Sequence, residues 1–210
     1  LNLEKGLVFT VKELFLRPGK AIQAYLDRAT VRFMHPFRFV FLLATISAVL
    51  TILSGTFESP EIMKLFEDSS KSEEEIESFK VFLEQIKKYL ALILMVSIPF
   101  NSIGSFFVYK NKKFNFAEHL VINSFTYGFT ILLGLPLVAL FLIPNGIFIH
   151  STVSTPVYFI GMIYIFTKFF KENVIISFFK VLLVFLVSLI FSMLFGGLLS
   201  IIAIFIYKFF

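Results

Sequence analysis

The chain has 210 residues, 58% of them hydrophobic and 16% charged, with a mean hydropathy of +0.89. Long uncharged runs in such a composition exclude an ordinary water-soluble domain and suit a bilayer. Zero cysteines exclude disulfides and thiolate metal sites within these residues, and the net charge of +5 is better explained by membrane topology than by nucleic-acid binding.

Leu3, Leu7, Val11, Leu14 and Phe15 recur at helical spacing, with Lys5, Lys12 and Glu13 off the stripe, which predicts an amphipathic helix over 2–16. Arg17-Pro18-Gly19 should break it. Pro18 suits the first turn of a second short helix, whose apolar face carries Ile22, Tyr25 and Leu26. Both helices are expected to lie along a membrane surface. Arg17, Lys20, Arg28, Arg32 and Arg38 gather beside the first apolar run, where each gains about 1 kcal/mol from anionic lipid. Two readings stand side by side. One is an interfacial anchor on anionic cytoplasmic lipids. The other makes Arg17-Pro18-Gly19 and the stretch from Arg28 to Arg32 a docking surface for a partner or an anionic headgroup.

Pro36 opens the first expected span, about Phe37 to Leu53. The next segment, 54–88, carries nine acids and five bases, whereas residues 1–38 carry seven bases and three acids. The excess of bases places the N-terminal block in the cytoplasm and the acidic segment outside. Ser72 with Glu75 has the form of a capping box, and Ile76, Phe79, Leu83, Ile86 and Leu90 continue one apolar face. A single helix from about Glu73 to Tyr109 would extend roughly 24 Å beyond the bilayer over its first sixteen residues. Its stripe needs a cover, either a short helix bearing Ile62, Leu65 and Phe66 or a second protein outside the membrane.

Lys110, Lys112 and Lys113 return the chain to the cytoplasm. Asn115, three before Glu118, can cap the third membrane helix. Glu118-His119 then has three readings: capping with interfacial solvation, a contact with the basic N-terminal block, or acid–base, metal or proton chemistry. His35 and His150 do not converge on His119, so neither a metal site nor a cofactor is expected. The third span, about Leu120 to Ile143, carries Asn123, Ser124, Thr126 and Thr130. These are expected to face Asn101, Ser102 and Ser105 of the second span, with a small polar cavity near Asn101 and Asn123 as the functional option. Pro144-Asn145-Gly146 marks a turn, Thr155-Pro156 starts the fourth span, and a fifth apolar run covers about Ile175 to Tyr207. That last run exceeds one crossing, and tilt, a kink near Gly196-Gly197 or an interfacial first turn would absorb the excess. No Walker loop, GxSxG or HExxH occurs.

Phe9-Thr10, Leu14, Arg17-Pro18-Gly19, Tyr25-Leu26, Arg28, Arg32 and Pro36 together resemble a family of uncharacterised bacterial multi-pass membrane proteins, domain of unknown function 3667. A second patch of likeness is Phe116-Ala117-Glu118-His119-Leu120. The resemblance implies a membrane fold and no activity. Members often carry a cysteine-rich, zinc-ribbon-like segment ahead of this block; no such segment lies within these 210 residues.

The expected architecture is all-α: an integral membrane bundle of about five transmembrane helices, with N-terminal interfacial amphipathic helices and an extracytoplasmic helical hairpin. Residues 1–36 form the cytoplasmic basic segment and 37–210 the bundle, including the acidic hairpin over 54–88. The expected role is a non-catalytic scaffold or accessory subunit in a bacterial inner membrane, with a membrane-protein partner at the hairpin or the basic block. The alternative is a small transporter or lipid-handling enzyme whose binding residues would be Arg17, Arg28, Arg32, Glu118 and His119.

Overall fold

The computed structural model describes residues 3–59, 62, 64 and 72–209. Among the described residues there is no strand, and seven α-helices follow in order: α1 (Leu3–Leu16), α2 (Pro18–Leu26), α3 (Pro36–Leu53), α4 (Glu73–Val108), α5 (Phe116–Gly134), α6 (Gly146–Phe170) and α7 (Val174–Phe209). The five from α3 onward each contain a stretch long and apolar enough to cross a membrane. Helix α5 sits centrally, packed on α3, α4 and α6, while α7 packs on α4 and α6.

Local chemistry accounts for most helix ends. Both expected capping boxes are present: the Ser72 side chain accepts from the Glu75 amide at the head of α4, and Asn115 does the same for Glu118 at the head of α5. Pro18 and Pro36 occupy first-turn positions, where a missing N–H costs nothing. Two ends differ from the sequence expectation. The α-helix of the third span stops at Gly134 and continues as a 3-10 helix over Leu135–Leu142. Pro136 lacks the amide that would bond to Leu132, and its ring crowds that carbonyl. The fourth span starts at Gly146, not at Thr155, and runs through Pro156. Its apolar first turns gain backbone hydrogen bonds by staying helical, and a proline inside a membrane-length helix is tolerated when neighbours support it. The long last run is one α-helix, α7, which continues through Gly196 and Gly197.

The N-terminal helices are docked onto the bundle. Leu14, Ala21 and Ile22 are buried in one cluster with Phe125 and Phe166, so much of the apolar face expected to meet lipid is covered by protein. Thr10 is sealed inside; its hydroxyl donates to the Gly6 carbonyl at 2.8 Å and accepts from the Met34 amide at 2.8 Å. Tyr25 sets its ring edge-on to Phe33 and Phe125, and Tyr164 donates to the Phe15 carbonyl at 2.6 Å.

Helix α2 approaches α6 so closely that a Cβ on Gly19 would lie 2.2 Å from the Lys168 carbonyl oxygen. Only glycine permits that backbone contact, which gives the Arg17-Pro18-Gly19 turn a packing role. Gly104 plays the same part between α4 and the Val184 carbonyl of α7, while nothing crowds Gly134 or Gly196.

Candidate functional site

Three polar arrangements lie toward the end of the bundle that receives α1 and α2. The first surrounds His119. Successive residues of a helix are about 100° apart around its axis. Glu118 therefore turns back to its cap, accepting from the Asn115 amide at 2.7 Å, while His119 points into the protein and is fully buried. His119 Nδ1 lies 2.9 Å from Ser105 Oγ, and Asn123 donates to both Ser105 Oγ and the His119 carbonyl at 2.8 Å. The ring sits among Phe106, Phe114 and Phe170, and Nε2 has no hydrogen-bond partner. The polar residues of α4 and α5 thus bond to each other as expected. The void near Asn101 and Asn123 measures only about 10 Å³, room for a single water.

The second arrangement was not legible as a cluster in the sequence. Glu172, in the turn between α6 and α7, has a side chain only 11% exposed and lies 2.7 Å from Lys180 Nζ and 3.2 Å from Lys112 Nζ. Lys112 also donates to the Phe170 carbonyl at 2.9 Å, at the negative end of α6. Lys180 sits 4.7 Å from the centre of the Tyr109 ring, which stacks on Phe170 at 3.7 Å. Tyr109 is therefore a core residue. Burial, and after it the negative charge of Glu172, pushes its hydroxyl pKa up and keeps it protonated. The available signal was Glu172 itself, one acid set between Lys171 and Lys180 in a stretch otherwise free of acids.

The third is a cleft of about 540 Å³ between the start of α2 and the end of α6, lined by Arg17, Lys20, Asp27, Lys168 and Lys171 among others. Arg17 is exposed and holds Glu13 through two hydrogen bonds, of 2.6 and 2.9 Å. The guanidinium is the main cause of a Glu13 pKa below the usual carboxylate value. Arg28 and Arg32 are exposed and do not line this cleft. The structure therefore joins Arg17 to lysines of α6, with Glu118 at its cap and His119 in the core. Among the described residues, no group of three His, Asp or Glu side chains is placed to hold a metal ion.

A larger groove of about 740 Å³ is lined by Leu7, Phe37, Arg38, Phe41 and Met95 among others and is almost wholly apolar, the character of a surface facing lipid.

Comparison with known proteins bears on the N-terminal block. Residues 4–48 match the family model DUF3667, a protein of unknown function. That is the family the N-terminal residues resemble. No curated protein and no solved structure matches the chain. The DUF3667 match spans most of α1, all of α2 and most of α3, so it contains Thr10, the Glu13–Arg17 pair and Gly19, each with a packing or bonding role in docking the block. The second patch of likeness, Phe116–Leu120, lies outside the match.

Proposed function

We propose that this multi-pass membrane protein resides in a bacterial inner membrane with its N-terminus in the cytoplasm and acts as a non-catalytic scaffold or accessory subunit. The orientation rests on the excess of bases in residues 1–38 over the acidic segment that follows. The observation that carries the role is the head of α4. This 36-residue helix is about 54 Å long, against roughly 30 Å of hydrocarbon, so its first turns stand clear of the span. There the stripe expected to need a cover is covered: Leu83 is buried, and Ile76, Phe79 and Ile86 are half-buried. Val81 and Phe82, off that stripe, remain 55% and 57% exposed. Apolar side chains on a charged rod outside the bilayer suit contact with another membrane protein. The short helix expected to bear Ile62, Leu65 and Phe66 falls largely outside the described residues.

The competing transporter or enzyme reading places its cavity near Asn101 and Asn123, where the void holds one water; a separate hollow of about 510 Å³, lined by Thr51, Tyr127, Thr130, His150 and Tyr158 among others, lies away from Glu118 and His119. Extraction from the native membrane in mild detergent, followed by mass spectrometry of co-purifying proteins, tests the role. A stoichiometric partner is expected, and its recovery should fall when Val81→Glu and Phe82→Glu are combined. A chain recovered alone overturns the scaffold reading.

A further inference from the structure

We infer that the cleft between α2 and α6 binds a phosphate group, carried either by an anionic lipid headgroup or by free phosphate. The inference takes from the reading above only that the long helices span a membrane, not the scaffold role.

Arg17, Lys20, Lys168 and Lys171 line one hollow of about 540 Å³, with Asp27 as the one acid in its wall. Asp27 already accepts from Gln23 at 3.0 Å and Arg17 is held by Glu13, whereas Lys20, Lys168 and Lys171 take part in no ion pair among the described residues. Three lysines without an ion pair around one cleft leave it net positive, which favours an anion there.

Helix dipoles explain only part of this gathering. Lys168 and Lys171 lie at the negative end of α6, where positive charge is favourable in its own right. Lys20 lies at the positive end of the nine-residue α2, where it is not. Arg17 at the N-cap provides no side-chain bond to that helix end, and Pro18 has no amide hydrogen, so the Gly19 and Lys20 amides are left without an acceptor inside the helix. Free amides at a helix N-terminus, with cationic residues lining the same cleft, are a donor set suited to a phosphate. The contact of Gly19 with the Lys168 carbonyl fixes the two walls of the cleft relative to each other. Leu16, 68% exposed at the edge of the cleft, offers an apolar surface for the chain of a lipid.

The test compares the intact detergent-purified protein with two charge-matched double variants. Lys20→Gln with Lys168→Gln empties the cleft of two charges, and Lys110→Gln with Lys113→Gln removes two from the neighbouring turn. Native mass spectrometry after exposure to equal phosphatidylglycerol and phosphatidylcholine reads lipid selectivity; a melting curve with inorganic phosphate reads the free ion. The wild type should prefer phosphatidylglycerol roughly tenfold, a preference lost in the cleft variant and kept in the control. A phosphate-dependent rise in melting temperature with the same variant pattern, without lipid preference, assigns the cleft to free phosphate. Lys171→Gln alone, away from the α2 contact, should weaken whichever response is seen and guards against misfolding of the double variant. Equal losses in both double variants, or no response to either probe, overturn the site while leaving membrane placement intact. Recovery of the chain in the soluble fraction without detergent overturns that placement instead.

Discussion

At the end of the bundle that receives α1 and α2, the carboxylate of Glu172 is folded into protein between Lys112, Lys180 and Tyr109, whereas at the head of α4 the carboxylates that meet Lys87 stand in the open. The Glu172 side chain is 11% exposed; Glu84 and Glu58, which hold Lys87, are 68% and 60% exposed. Identical residue types therefore do different things at the two ends. Where the chain excludes water, an ion pair is a condition of folding, because an unpaired charge there has nowhere to go. Where water reaches the pair, solvent replaces either partner at little cost.

The strongest way to break that contrast is Glu172→Ala. It leaves Lys112 and Lys180 facing each other without their shared anion, at a cost of about 3 kcal/mol, the low end of the range for breaking a buried pair because both lysines are about one-third exposed. Thermal unfolding in detergent should show the loss. Replacing both lysines by methionine as well should recover most of it, since a buried ionic cluster can be exchanged for apolar packing.

Gly19→Ala comes next. The added methyl meets a backbone carbonyl and not a flexible side chain, so α2 must move off α6, costing about 1–3 kcal/mol. Protease susceptibility after Arg17 should rise with it. Thr10→Val keeps the shape but leaves the Met34 amide buried without an acceptor, for about 1–2 kcal/mol by the same melting assay.

Acid should loosen the same block before the rest. Glu13 has a folded-state pKa below its ordinary 4.5 because Arg17 holds its carboxylate. Below 4.5 the unfolded state takes up the proton first, so the pairing stabilises fully above that value and is lost as pH falls through the depressed one. Glu13→Gln should flatten the acid limb of a pH-melting series; an unchanged limb would assign it to other carboxylates.

Much of this arrangement was legible in local sequence, and the parts that were not share a physical cause. The two capping boxes, the break at Arg17-Pro18-Gly19, the first span from Pro36 and the uninterrupted helix from Glu73 each depend on residues within one or two turns. The facing of Ser102 and Ser105 with Asn123 followed from the cost of polar groups in hydrocarbon. Glu118 and His119 looked like a pair because they are adjacent, yet helical geometry turns them apart. Lys180 reaches Glu172 across a turn, and Arg17 shares a cleft with Lys168 because α2 docks on α6. Such contacts are set by tertiary packing, which no periodicity encodes. The early start of α6 has the same origin, since Pro156 is a breaker only where water can take up the freed carbonyl.

The smallest expected effect belongs to Lys87→Gln, and it sharpens the contrast best. Lys87 holds both Glu58 and Glu84 and lies 5.9 Å from the centre of the Phe57 ring, so in a contact diagram it rivals Glu172. Its carboxylate partners are nevertheless solvated, and glutamine retains much of the stem and a donor. The loss should stay below about 1 kcal/mol and shrink further as salt is raised. A melting shift as large as that of Glu172→Ala, and insensitive to salt, would mean that Lys87 pins the head of α4 to Glu58 as firmly as the buried cluster holds the other end. Burial would then not be what separates the two ends.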